Sequence, residues 1–198
     1  MTHTGPPSPA PAADLTRQRL IRAALELFTT RGYHDTTTAQ IAKKAGVAEG
    51  TIYRHFPSKQ QLLNELHRAA LRWAAKLVQD AEAAGGGARA RLALAAQQLV
   101  EGAARDPAVV KLGFLERLDV VLDDESRKTA REFRTAVERV IAQGKAEGVI
   151  RSGAADVWAA VWLAVISHAL EKVVAKEWKP EDAAVALVID GAWSAVGA

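Results

Sequence analysis

The sequence predicts an all-α protein of about nine helices, with a small basic N-terminal head and a larger helical body. Three observations predict it. Alanine is abundant and 49% of the 198 residues are hydrophobic, a composition that favours helix over strand. Apolar residues recur at helical spacing, with no alternating strand pattern. Glycine and proline punctuate the chain at intervals that suit helix ends. The expected boundaries are an arm over 1–13, a head over 14–60 and a body over 61–198.

The first stretch, MTHTGPPSPAPAA, carries four prolines and no lysine or arginine. It reads as a flexible arm; a signal peptide needs a basic start and an apolar run. In LTRQRLIRAALELFTTRGY, Leu20, Ile21, Ala24, Leu25, Leu27 and Phe28 mark a first helix that Gly32 stops. A second helix starts near Thr37, where Thr37-Thr38-Ala39-Gln40 matches a capping box, and halts at Gly46. A third, short helix spans Thr51–Phe56 before Pro57. Ser58 caps a long fourth helix that reaches the triple glycine at 85–87. Further helices are expected over 88–105, 107–122, 123–148, 154–177 and 180–196. Val157–Leu170 is the longest uncharged apolar stretch, at 14 residues, where a membrane span needs about 20. It reads as a buried core helix, and the expected setting is cytoplasmic, without a membrane partner.

Charge is uneven. Residues 14–68 hold nine Lys/Arg against five Asp/Glu, a net of +4 within a whole-chain net of +3, which leaves −1 for the rest. A basic head on a near-neutral body fits a nucleic-acid partner, and equally a solvated basic face. Cysteine is absent, which excludes disulfides, thiolate metal sites and cysteine nucleophiles. The triple glycine lacks the Lys-Ser/Thr of a phosphate loop, the five histidines form no i,i+4 ligand pair, and no Gly-x-Ser-x-Gly elbow occurs. Gly144 and Gly148 sit in a charged context that reads as a helix end. Catalytic residues, metal ligands and cofactors are therefore not expected.

Two short helices joined across Ala45-Gly46-Val47 have the shape of a helix-turn-helix, with Ile41, Val47 and Ile52 packing between them; an ordinary helical corner has the same shape. The third helix gathers Thr51, Tyr53, Arg54 and His55. Such a set suits a recognition helix, since arginine reads guanine bidentately while hydroxyls and cations hold phosphates. Ile52 and Phe56, four apart, would face inward. Lys59, at the start of the next helix, can bring its ammonium to a phosphate. Gly50 lacks a side chain where a backbone would approach a phosphate closely. Glu49 suits the positive end of the helix, or accepts from a cytosine amino group.

The segment TTTAQIAKKAGVAEGTIYRHFPSKQQLL resembles the TetR family of bacterial transcriptional regulators. The shared pattern is a threonine-capped helix, an Ile-Ala pair, an Ala-Gly-Val turn, Gly-Thr-hydrophobic-Tyr, and an aromatic pair before a lysine. Upstream, Ala24, Leu27, Phe28, Gly32 and Tyr33 also fit. The resemblance covers residues 17–65; the C-terminal two-thirds is similar only in helix count and lengths. It implies a homodimeric repressor that binds a pseudo-palindromic operator and is released by a small hydrophobic effector held in the body. By position, Thr51, Tyr53, Arg54, His55 and Lys59 match family residues that touch DNA, and Thr38, Lys43 and Lys44 match phosphate contacts. Two departures stand out. Ala39 replaces a longer polar residue, and Ala48 replaces a capping serine whose oxygen Glu49 can offset.

In the body, Trp158 and Trp162 lie one turn apart and can line a pocket with Phe114, Leu118 and Phe133, Trp73 joining from the fourth helix; all can equally be core. Arg117 and His168 are its polar anchors, or structural groups. Helices 154–170 and 183–193 carry more apolar surface than one core needs, which suits a four-helix dimer interface or burial within one chain. The fourth helix would relay an effector's presence to the head. The alternatives are an effector-free regulator or activator whose body serves only dimerisation or protein contacts, and a small-molecule enzyme, which lacks any nucleophile or metal constellation.

Overall fold

Helices account for most of the computed structural model, which describes residues 12–118 and 120–198. The expected arm lies outside the described residues up to position 11. In order come α1 (Ala12–Arg31), α2 (Thr38–Ala45), α3 (Glu49–His55), α4 (Lys59–Ala83), α5 (Ala88–Arg105) and α6 (Pro107–Val110), then a π-helical turn (Lys111–Leu115). After it come α7 (Asp124–Ala146), α8 (Ala155–Val174) and α9 (Ala183–Val196). No strand forms among the described residues beyond one isolated antiparallel bridge, Ile150 to Gly197. The chain divides into two units after Leu63, inside α4.

The first unit is built on the apolar stripe of α1. Leu20, Ala24, Leu27 and Phe28 recur at helical spacing and are buried, together with Ile41 of α2, Ile52 of α3 and Phe56. Burying a side chain the size of Ile41 or Ile52 stabilises by about 1.5–3 kcal/mol. These few residues therefore fix α2 and α3 upon α1. Ser58 opens α4 by accepting a hydrogen bond from the Gln61 amide at 3.1 Å.

The second unit surrounds Trp162, which is fully buried among Leu99, Val137, Ile141, Ile166 and their neighbours. α8 is the helix, among the described residues, that is long and apolar enough to cross a membrane. It instead sends Ala159, Trp162, Ile166, Ala169, Leu170 and Val173 into this core. Its other apolar face is only partly covered, and Val157 stays 55% exposed; on α9, Leu187 is 74% exposed. Between α4 and α5 the packing is tight. A side chain on Gly102 would collide with the Trp73 ring, so only glycine admits that indole.

The helix expected over 107–122 is interrupted. Pro107 starts α6, the Glu116 amide reaches back to the Lys111 carbonyl at 3.0 Å to close the π turn, and the chain then leaves helical geometry at Glu116. Buried Asn64 holds the segment leading into α7, donating to the Val121 carbonyl (3.2 Å) and accepting from the Asp123 amide (2.9 Å). These bonds replace the helical ones that Val121 and Asp123 forgo. Asp123 then caps α7 by accepting from the Ser126 amide at 2.8 Å, while Arg68 donates to both carboxylate oxygens and to the Ser126 hydroxyl. Burial pushes the Asp123 carboxyl up, but the Ser126 bonds and the Arg68 guanidinium outweigh it and hold the carboxyl below its ordinary range.

Candidate functional site

The head presents α2, a tight turn and α3. Thr37 closes a reciprocal cap: its hydroxyl accepts from the Gln40 amide (3.2 Å) and its own amide donates to the Gln40 side chain (2.9 Å). α2 ends at Gly46, whose φ of 66° lies in the left-handed region that glycine adopts without strain. The Gly46 amide donates to the Lys43 carbonyl and the Val47 amide to the Ala42 carbonyl, at 3.1 and 3.0 Å. From α1, Arg19 donates to the Gly46 carbonyl at 3.1 Å and so ties the turn to the first helix.

α3 begins at Glu49, two residues earlier than the sequence suggests. Ala48 offers no side-chain cap, and the Thr51 amide bonds its carbonyl at 2.9 Å, with Glu49 in the first turn. Ile52 points into the core, while Gly50, Tyr53 and Arg54 are exposed and Thr51 and His55 are half-buried. A side chain built on Gly50 would meet, among the described residues beyond its chain neighbours and the adjoining helix backbone, no atom within 4 Å. Intramolecular packing therefore does not demand glycine there. The hydroxyls of Thr38 and Tyr53 share a hydrogen bond of 3.0 Å that links α2 to α3. Lys43 and Lys44 are both exposed on α2; Lys44 pairs with Glu26 at 2.6 Å, and Lys43 and Arg54 have no ion-pair partner among the described residues.

Lys59 departs from the expectation of a phosphate-facing cation. Its ammonium donates to the carbonyls of Thr36 (2.7 Å), Tyr33 (2.8 Å) and His34 (3.5 Å), and lies 4.3 Å from the centre of the Tyr33 ring. An ammonium has three donors, and all three are directed into the loop between α1 and α2. Burial lowers the Lys59 pKa, opposed by the Asp35 carboxylate, and burial raises that of Tyr33. Nothing local in the sequence signals this destination, since the partners lie 23 to 26 positions away. The Arg19 bond to Gly46 spans 27 positions and has no local sequence signal for the same reason.

In the second unit, a cavity of about 280 Å³ is lined by His67 and Leu71 of α4, Gly113 and Phe114 of the π turn, Glu116, Leu118 and Leu122 of the following loop, and faces of α7 and α8. Of the pocket residues expected from the sequence, Phe114, Leu118 and Phe133 line it, with the two phenyl rings edge to face at 5.4 Å. The others are elsewhere. Trp162 is core, Trp73 packs on Gly102, and Trp158 donates its indole N–H to the Ser152 carbonyl at 3.0 Å. His168 is exposed and edge-on to Trp178, and Arg117 is exposed. In their place the wall holds His67, Glu116, Arg134 and Ser167 as polar groups. Helical periodicity carries a signal for three of them: His67–Leu71, Ala130–Arg134 and Leu163–Ser167 are each one turn apart, whereas Glu116 lies in a loop.

A helix-turn-helix head joined to an all-helical body defines a class of DNA-binding regulators. The family model for bacterial regulatory proteins of the tetR family matches residues 20–66. The transcriptional regulator TcmR of Streptomyces glaucescens is 31% identical over 170 residues, covering 82% of this chain and 73% of that protein. The regulator SrpR of Pseudomonas putida is 52% identical over 54 residues, 27% of this chain and only 25% of SrpR's length. In fold, a tetR-family transcription regulator from Shewanella sp. PV-4 superposes with a TM-score of 0.78 at 23% identity, over 92% of this chain and 98% of that one. The chain belongs to the tetR family of bacterial regulatory proteins. These similar proteins are transcription regulators, not enzymes.

Proposed function

We propose that the chain is a repressor that binds operator DNA as a homodimer through α3 and is released by a small effector held in the body cavity. The observation that carries the reading is the division of α3. Ile52 is buried while Gly50, Tyr53 and Arg54 face open solvent, from a turn fixed by Gly46 and Arg19. Arg54 would read a base edge, and Thr51, His55 and the linked Thr38–Tyr53 hydroxyls would hold phosphates, with Lys43 and Lys44 adding charge. Gly50 would let the backbone come close to a phosphate. Lys59 supports this surface from behind by fixing the loop that precedes α2.

Dimerisation is supported by the uncovered apolar face of α8 and α9, where Val157 and Leu187 are the most exposed members. Pairing two such helices with their copies buries that face under two-fold symmetry. Two α3 helices would then enter successive major grooves about 34–36 Å apart. The body cavity supports an effector. α4, which belongs to both units, would carry its influence through a coupling of ~1–3 kcal/mol, enough to weaken operator binding 5- to 150-fold.

Electrophoretic mobility shift with the duplex flanking the chain's own gene, combined with sedimentation equilibrium, tests the reading. A two-chain complex that resists scrambled competitor is expected. Binding that scrambled duplex displaces equally, or a one-chain complex, would overturn it.

A further inference from the structure

We infer that the body cavity selects a small carboxylate, seating the anion on Arg134 and Ser167 and an aromatic or aliphatic tail against Phe114 and Phe133. The inference rests on reading the cavity as the effector site and adds the class of ligand it takes. Size comes first. At about 280 Å³, with ~30 Å³ for each water-sized unit, the cavity holds roughly ten non-hydrogen atoms.

The tail is set by the wall. Leu71, Leu118, Leu122 and Leu163 accompany the edge-to-face phenyl rings of Phe114 and Phe133. A flat ring or short alkyl chain gains from burial there, and a ring gains further from an edge-to-face neighbour.

The headgroup is set by the charges. Two formal charges line the cavity, Glu116 and Arg134. Glu116 faces Lys111 at 3.5 Å, so its charge is met within the chain. Arg134 has no ion pair among the described residues, and Ser167 has no hydrogen bond among them. The cavity therefore offers an unmatched guanidinium and a hydroxyl donor. A guanidinium binds a carboxylate through two parallel N–H bonds, and a charge-assisted pair is about twice as strong as its neutral counterpart. An ammonium ligand would meet repulsion instead, and a neutral amide would forgo the charge. The placement is also consistent with the fold: Ala130, Phe133 and Arg134 share one face of α7, so the apolar seat and the anion seat are built on one rigid helix.

The probe is 3-phenylpropionate, of matching size, compared with 3-phenylpropanamide and 3-phenylpropylamine by isothermal titration calorimetry on the full chain. The expected order is acid tighter than amide by about threefold or more, since Arg134 is exposed and solvent screens its charge, with the amine the weakest of the three. Arg134→Gln, on an exposed position that leaves the core intact, is expected to erase the acid–amide difference while keeping amide binding. Arg134→Lys should restore part of it. Equal binding of acid and amide to the natural chain overturns the inference, as does an acid affinity that Arg134→Gln leaves unchanged or the absence of any acid binding. If the amide binds and the acid does not, the carboxylate class fails while the cavity still serves as a ligand site. Acid binding that leaves the operator complex intact sinks effector release and leaves this inference standing.

Discussion

Replacing Lys59 with methionine separates two roles that its position at the start of α4 allows. Methionine keeps the length of the apolar stem against the Tyr33 ring and removes only the ammonium. The natural side chain makes two short hydrogen bonds, at 2.7 and 2.8 Å to the Thr36 and Tyr33 carbonyls, a longer one at 3.5 Å, and a cation–π contact at 4.3 Å. Bonds involving a charged group contribute about 1.5–3 kcal/mol each when dry, and the cation–π contact adds about 0.5–1. The site is half-buried, and desolvation of the ammonium offsets part of the gain. The expected net loss is therefore about 1–3 kcal/mol. In a unit of this size each kcal/mol lowers the melting temperature by about 4–8 °C. The two assays are thermal unfolding by circular dichroism and a salt titration of DNA binding. A cation on a phosphate contributes about 0.9 to the slope of log K against log salt, whereas an internal one contributes nothing. Lys59→Met should lose stability and bind DNA more weakly, with an unchanged slope. Stability within about 0.5 kcal/mol of the natural chain, with a slope reduced by about two (about 0.9 from each protomer of the dimer), would refute the internal role.

Three other perturbations test separate parts of the account. Gly46→Ala forces a left-handed residue at φ 66° and brings the new methyl within 2.6 Å of the Arg19 guanidinium, so a loss of about 2 kcal/mol in chemical denaturation is expected; a neutral outcome would mean the turn relaxes freely. Asp123 is held below its ordinary value of 3.8, so its contribution to stability is complete above that value and is lost as pH falls through the lower folded one. The stability gap between the natural chain and Asp123→Asn should accordingly shrink as pH falls from about 5 to about 3, and a constant gap would contradict the Arg68–Ser126 network as its cause. Leu187→Asp should keep the helical circular-dichroism spectrum, lower the melting temperature only by what association adds, and convert a dimer to a monomer in sedimentation equilibrium, because Leu187 is 74% exposed in the single chain. A dimer that persists would move the interface away from α9.

Local chemistry made much of the head legible. The Thr37 capping box, the Gly46 turn and the Ser58 cap each depend on residues within four positions, and each appears where the sequence places it. The inward face of α3 was equally readable, because Ile52 and Phe56 share a helical spacing. The features without a local sequence signal depend on partners far along the chain. The segment 107–122 has helical periodicity, yet Asn64 and Arg68, more than fifty positions earlier, capture its end by hydrogen bonds. Lys59 likewise reads as a surface cation until the Tyr33–Thr36 carbonyls converge on it. The tryptophans offer large aromatic surfaces that suit a pocket wall, but Trp162 fills the core and Trp73 fills the space left by Gly102. A cavity is the volume that packing leaves over, and composition carries little trace of it.

On the proposed function, the exposed face of α3 would read DNA sequence, with Arg54 as the base reader. Fluorescence anisotropy with the full chain measures it directly, using the duplex flanking its own gene and a scrambled duplex at one salt concentration. The natural chain should prefer the flanking duplex by about 10³-fold or more, and Arg54→Ala should lose about 1–3 kcal/mol of that preference per half-site while keeping its affinity for the scrambled duplex. Equal affinity of the natural chain for both duplexes, or an undiminished preference in Arg54→Ala, would contradict it.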